Sequence, residues 1–377
     1  MIRRVGILSG GGDCPGINAV IRAVAHSAVL SHGWEVIGIE DGYDGLLRRD
    51  GTRRLRLSQV RRILNRGGTI LGTTNRSNPF AYATEESGQM VVRDRSGEVL
   101  EAVKEHQLDA LVVIGGDGSL TIAQQFSDLG VPVVGVPKTI DNDLSATDYT
   151  FGFHTAVEVA TEALDRLQTT AESHHRVMIL EVMGRDAGWI ALESGIAGGA
   201  DAILIPEISF DIEILSAFVR FRQSELGAKH SVVVIAEGCE IPGQGQVLEP
   251  ATSVGAAARL SGICSWLAGQ LTARTAIETR STILGHLQRG GAPNAVDRVL
   301  ATRFGAAAVD LLAAERFGEM VALRGQDVVS VPIREAIGSV RKVPSNHQLV
   351  AQGRAIGVCF GDQLPPLGRR RRSHTDR

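Results

Sequence analysis

The sequence predicts an α/β fold of parallel sheets covered by helices, and three observations carry that prediction. Short β-branched apolar runs alternate with longer segments of helical length. The runs are continuously apolar, as strands buried on both faces are. Glycines and charged residues gather just after them, where open α/β sheets bind ligands.

In chain order, residues 5–8, 36–39, 111–114, 133–136, 177–180, 202–205 and 232–236 are the predicted strands. Residues 16–31, 97–107, 119–128, 152–170, 211–226 and 254–272 are long enough for the helices between them. Residues 243–246 and 290–293 are glycine-rich loops. No internal repeat stands out. The end, residues 365–377, reads as a disordered, solvated tail with arginines at 369–372.

With 377 residues, 44% of them hydrophobic and 21% charged, the chain has the length of two or three globular domains. Its 44 glycines exceed the usual ~7% share. They cluster after apolar runs and not in a linker, which suggests a ligand site lined by backbone. A net charge of −3 gives no electrostatic case for a nucleic-acid partner. Cys14, Cys239, Cys264 and Cys359 form no C-x-x-C pair, so zinc and redox readings are weak. The start carries no signal-peptide pattern, and no apolar run reaches the ~20 residues of a membrane span. A cytoplasmic enzyme is the expectation.

Three strand ends carry the chemistry. Residues 9–16, a serine, three glycines, Asp13, Cys14, Pro15 and Gly16, follow the first strand and open a helix. Glycines let amides approach a phosphate, and a helix N-terminus favours an anion. The loop fails the dinucleotide fingerprint, because Pro15 stands where a third glycine belongs, and no Walker A pattern occurs. Gly115, Gly116, Asp117, Gly118 and Ser119 put a carboxylate in a similar loop. A phosphate-bound Mg²⁺ needs such a carboxylate; a helix N-cap is the plainer use. Pro137, Lys138, Thr139, Ile140, Asp141, Asn142 and Asp143 follow the next strand. Asp141 suits a general base beside a phosphorylated substrate, and Asn142 and Asp143 can orient it or bind sugar hydroxyls. An Asx turn is the alternative for these three residues, but it leaves Lys138 and Thr139 unexplained. The last two loops are expected to face one another across a cleft. Arg176, Arg185, Arg280, His286 and Arg289 are cations near strand ends or loops, and Glu237 follows the strand at 232–236.

These segments resemble 6-phosphofructokinases to about residue 340. The matching runs are residues 11–18, 65–69, 115–119, 137–143, 181–185, 196–199 and 284–291. The resemblance implies phosphoryl transfer to the 1-hydroxyl of fructose 6-phosphate, with Mg²⁺. It implies two similar doubly wound α/β domains with the active site in the cleft between them. Residues 1–151 with about 288–340 would bind the donor, and 152–287 with about 341–364 the sugar phosphate. It also implies a homodimer or homotetramer whose site is shared between subunits.

By motif, Gly12, Gly116, Asp117, Gly118 and Ser119 would line the donor site with Arg76, and Asp117 would hold the metal. Asp141 would be the base, with Thr139, Arg185 and Lys138 completing the catalytic set. Thr139, Asp141 and Asp143 would face the sugar, and Met183, Gly184, Arg185 and Glu237 would contact the sugar phosphate. His286 and Arg289 would hold its 6-phosphate, joined by Arg176 and Arg280 of a neighbouring subunit. Gly118 resembles the ATP-using pattern, where pyrophosphate users carry Asp. Lys138 resembles the pyrophosphate type. The chain is therefore similar to the mixed-substrate subgroup, with ATP the expected donor and pyrophosphate the alternative. Arg22 matches the allosteric bacterial pattern, whereas His26 and Gln168 replace arginines, which weakens a phosphate-binding effector site. Two further alternatives are a different kinase and a non-catalytic sugar-phosphate sensor. The first lacks the cluster at 286–289 and the run at 137–143; the second would be expected to lose Asp141.

Overall fold

A computed structural model describes residues 2–75, 78–86, 89–249, 259–260 and 262–365. Its main strands are β1 (Arg4–Ser9), β2 (Glu35–Ile39), β3 (Thr52–Arg54), β4 (Ala110–Gly115), β5 (Val133–Pro137), β6 (Val177–Val182), β7 (Ala202–Leu204), β8 (Ser231–Ala236), β9 (Thr279–Ile283), β10 (Glu319–Arg324) and β11 (Asp327–Pro332). Its main helices are α1 (Ile17–His32), α2 (Ser96–Glu105), α3 (Asp117–Asp128), α4 (Phe153–His174), α5 (Trp189–Ala197), α6 (Ile212–Ser224), α7 (Ile263–Thr275) and α8 (Ala295–Ala313). The chain forms two compact units. Residues 2–156 and 286–341 belong to the first; residues 157–249, 259–285 and 342–365 belong to the second.

The first unit is built on a seven-stranded sheet in the order β11-β10-β5-β4-β1-β2-β3. Only the edge strands β3 and β11 run antiparallel to their neighbours. The parallel strands thus follow the doubly wound order 2-1-3-4-5, which reverses between β1 and β4. Every residue of β4 and β5 is buried, as strands covered on both faces must be. Leu8, Leu111, Val113, Leu120, Phe126, Val133 and Met320 lie in its core. Asn294 caps α8 by accepting the Asp297 amide.

The second unit carries a four-stranded, wholly parallel sheet in the order β9-β6-β8-β7. β6 and β8 are buried throughout. The Asp211 carboxylate caps α6 through the Glu213 amide.

All seven predicted strands form. The helix expected over 254–272 is corrected: α7 begins only at Ile263, and Arg259 and Leu260 pair antiparallel with Glu249 and Leu248. The buried Glu181 carboxylate accepts the amides of Gly262 and Cys264 and so fixes that start. Residues 250–258 and 261 lie outside the described residues, as does the tail from 366 onward. The sequence reading omits α5, α8, β3 and β9–β11. β9 is polar and largely exposed, so it lacks the apolar run by which the other strands were found. α5 is apolar and buried almost throughout, so it shows little helical period.

Candidate active site

The switch between β1 and β4 places the loop after β1 beside the loop after β4, since Ser9 and Ile114 are register partners. The loop after β5 lies on the other side of β4: Gly115 pairs with Pro137, and the Lys138 amide donates to the Gly115 carbonyl at 2.9 Å. The expectation that the 115–119 and 137–143 loops face one another across a cleft is therefore corrected. They are neighbours on one sheet edge, because β4 and β5 pair directly.

The first loop is drawn in by cations. The Lys138 side chain is 4% exposed, and its ammonium donates to the Gly12 carbonyl. The Arg289 guanidinium donates to the Asp13 carbonyl at 3.2 Å. A Cβ on Gly12 would lie 2.7 Å from Arg289 Nη1, so a side chain there would push the guanidinium from its present place on the loop. Burial pushes the Lys138 ammonium below its ordinary value, and the Arg289 guanidinium adds to this, against Cys14, Asp13 and Asp141. Burial pushes the Cys14 thiol up to about 12, and its sulfur donates to the Phe151 carbonyl. That thiol is structural.

A support that sequence reasoning missed lies under the same loop. Thr73 Oγ1 donates to the Gly11 carbonyl at 2.7 Å, and the Gly11 amide donates to the Thr74 carbonyl at 2.9 Å. Ser9 Oγ donates to the Gly72 carbonyl at 3.0 Å. The one available signal was the run of two threonines after Gly72. Arg76, the remaining donor-site expectation, lies outside the described residues.

In the second loop, Gly116 is the N-cap of α3 and Asp117 its first residue. Asp117 does not cap its own helix; its carboxylate accepts the Gly338 amide at 2.7 Å and is otherwise exposed to solvent. Gly118 is exposed, and a Cβ there would meet no protein atom within 4 Å. Ser119 packs inward, against the positions Cβ atoms would take on Gly10 and Gly115.

In the third loop, Thr139 Oγ1 accepts the Asp141 amide at 3.1 Å. Thr150 Oγ1 donates to the Thr139 carbonyl at 2.7 Å. Asn142 is buried, with φ 51°, and its side-chain oxygen accepts the Thr150 amide. That bond commits Asn142 to loop shape, while Asp141 and Asp143 remain partly exposed.

The second unit gathers its own set at the C-terminal edge of β6 and β8. Met183 and Gly184 are buried and Arg185 is exposed. The Glu237 amide donates to the Val182 carbonyl at 2.9 Å, and the Gly238 amide to Gly184 at 3.1 Å. A Cβ on Gly238 would lie 1.8 Å from the Arg185 carbonyl, so the two loops approach closer than any other residue allows. His286 belongs to the first unit and is exposed on the 3₁₀ turn Gly285–Arg289. Arg176 and Arg280 lie elsewhere. Arg176 immediately precedes β6, and Arg280 pairs in register with Met178 near the start of that strand. Both guanidiniums bond Glu278, Arg176 at 2.7 Å. They stand at the opposite end of the sheet from residues 183–185. Of the effector-type positions, Arg22 and His26 lie one turn apart on α1. Partial burial and the Arg22 guanidinium push the His26 imidazole below its ordinary value.

Known proteins resemble this chain in sequence and in fold. Residues 4–312 match the family described as Phosphofructokinase. The chain is 51% identical over 362 residues to the ATP-dependent 6-phosphofructokinase of Chloroflexus aurantiacus, covering 96% of this chain and 99% of that protein. It is also 51% identical over 342 residues to the pyrophosphate–fructose 6-phosphate 1-phosphotransferase of Amycolatopsis methanolica, covering 90% of this chain and 96% of that one. Among solved structures, it superposes on the T-state phosphofructokinase of Pichia pastoris with a TM-score of 0.76 and 32% identity, covering 89% of this chain and 35% of that longer one. On sequence and fold together, the chain belongs to the phosphofructokinase family.

Proposed function

We propose that the protein transfers the terminal phosphoryl group of ATP to the 1-hydroxyl of fructose 6-phosphate, giving fructose 1,6-bisphosphate and ADP in the cytoplasm as a step of glycolysis. The observation that carries the reading is the placing of Asp117, Lys138 and Asp141 on two neighbouring strand ends of one sheet. Asp141 accepts the hydroxyl proton while the sugar oxygen forms its bond to phosphorus and the bond to the ADP oxygen breaks. Thr139 fixes the backbone that presents Asp141. Gly12, Gly116, Gly118 and Ser119 offer the donor phosphates amides and the N-terminus of α3. Lys138 and Arg289 keep that edge electropositive.

The residues fit a magnesium ion. That hard ion keeps several waters and takes one or two carboxylates plus substrate phosphates. Asp117, exposed and oriented through one oxygen, would hold it. Bound there with the donor, the ion would offset charge on the phosphates.

Arg185, Met183, Gly184 and Glu237, with Asp143, His286 and Arg289, are assigned to the sugar phosphate. Arg176 and Arg280 stand about 20 Å from residues 183–185 along β6, at ~3.3 Å per residue. That separation supports their serving the 6-phosphate site of a neighbouring subunit in a homodimer or homotetramer.

Open space at Gly118 favours the bulkier nucleotide donor. Lys138 favours pyrophosphate as the second reading. The test is a coupled assay with fructose 6-phosphate and either donor at fixed Mg²⁺. The expected outcome is a higher kcat/KM for ATP. Preference for pyrophosphate selects the second reading, and turnover with neither donor rejects both.

A further inference from the structure

Residues 338–341 lie beyond the 4–312 match to the family, yet each of them touches a loop of the candidate active site. The Gly338 amide donates to Asp117 Oδ1 at 2.7 Å. Ser145 Oγ bonds the Ser339 carbonyl at 3.0 Å and the Ser339 hydroxyl at 2.9 Å. Val340 forms an antiparallel bridge with Leu144. The Arg341 amide donates to the Asp143 carbonyl at 2.8 Å, and its guanidinium Nη1 to the Asn142 carbonyl at 3.2 Å. Four consecutive residues thus clasp residues 142–145 at one end and the Asp117 carboxylate at the other.

We infer that residues 338–341 are a positioning clip that sets Asp117 and the Asp141 loop relative to one another, with Arg341 its principal positioning residue. The inference rests on the reading of Asp117 and Asp141 given above. Three physical arguments support it. The loop bearing Asn142 at φ 51° is shaped from within by the Asn142 side chain on the Thr150 amide, and the clip adds two bonds from outside, to consecutive carbonyls. A carboxylate on the first turn of a helix can adopt several rotamers. An amide bonded to one of its oxygens selects one and leaves the group exposed for a hard ion. A group misplaced by ~1 Å costs up to about 10²-fold in rate, so a clip spanning the Asp117 carboxylate and the loop that bears Asp141 bears on turnover without touching substrate. The chain also leaves the first unit at this point, since Lys342 begins the next segment of the second.

The experiment compares the full-length wild type with Arg341→Ala and Arg341→Lys. Amide exchange of the ligand-free proteins is read first, because it is independent of any activity. In Arg341→Ala, peptides covering 139–146 should exchange at least ~10-fold faster, with those covering 4–9 and 110–114 unchanged. Per folded molecule, kcat should fall roughly 10-fold while KM for both substrates stays within about twofold. The Mg²⁺ concentration giving half-maximal rate should rise. Arg341→Lys, whose ammonium can still reach a carbonyl, should recover part of each loss. Unchanged exchange at 139–146 in Arg341→Ala, or wild-type kcat per folded molecule, overturns the clip. So does a loss that appears equally in the distant peptides, which would mark Arg341 as a general fold residue. A wild type inactive with both donors, with local exchange still raised by Arg341→Ala, rejects the kinase reading and leaves the clasp itself standing.

Discussion

The seven-stranded and four-stranded sheets furnish their loops with different materials. At the C-terminal edge of the first, residues 10–12 and 115–118 are almost all glycine, and the surface these two loops offer a ligand is mostly backbone. At the C-terminal edge of the second, Met183, Arg185 and Glu237 offer side chains, and glycine serves only to let two loops touch. The difference follows from the chemistry assigned to each. A polyphosphate is satisfied by amides and helix N-termini that approach closely. A sugar phosphate needs directional groups matched to hydroxyls and to one terminal phosphate. A backbone site should be sensitive to added Cβ atoms, and a side-chain site to truncation or displacement. Four measurements sharpen or break this contrast.

The largest effect belongs to the one side chain on the backbone-rich edge assigned to move a proton. Asp141→Ser should lower kcat by at least ~10²-fold, with fructose 6-phosphate binding changed far less. Steady-state kinetics with direct binding measurements decide it, and near-normal kcat would remove Asp141 from the role of base.

Next comes Gly118, where added bulk meets ligand and no protein. Gly118→Asp should leave the unfolding free energy within about 0.5 kcal/mol of wild type. Its kcat/KM for ATP should fall on the order of 10-fold or more, because a carboxylate near the α-phosphate repels it. Unaltered ATP use would show that the space beside residue 118 is not where the nucleotide lies. A stability loss would show that the loop does feel the side chain.

Gly238→Ala probes the other sheet. The Arg185 carbonyl, 1.8 Å from the new Cβ, must move. KM for fructose 6-phosphate should rise about 10-fold while KM for ATP is unchanged, since the shift displaces only residues 184–185 and 237–238. Parallel rises for both substrates would mean that residues 184–185 and 237–238 do not serve the sugar phosphate alone.

The smallest effect compares the two ends of β6. Arg280→Ala should weaken fructose 6-phosphate binding. Mixing it with inactive Asp141→Ser subunits should restore a fraction of activity through hybrids carrying one intact composite site. Hybrids verified by mass that stay inactive would place Arg280 and Asp141 in service of the same subunit.

Much of the fold was legible because its strands are buried on both faces, which writes them into the sequence as unbroken apolar runs. β9 escaped because an edge strand with exposed polar residues has no such run. Every site residue except Arg76 could be located among the described residues, and residue type alone flagged the glycines and the carboxylates. Partnerships were not legible. Lys138 and Arg289 meet the 9–16 loop from 126 and 276 residues away in the chain. The start of α7 depends on Glu181, 83 residues before Cys264.

By itself, then, the sequence determined the α/β class, the loops that bear the chemistry and the family, since these depend on local pattern and on residue type at fixed spacing. The tertiary structure decided the strand order that makes the 115–119 and 137–143 loops neighbours, the placing of Arg176 and Arg280 at the far end of β6, and the clasp of residues 338–341 on Asp117 and the Asp141 loop. Those depend on which distant segments hydrogen-bond to one another, a choice made by the packing of the whole unit and carried by no single stretch of sequence.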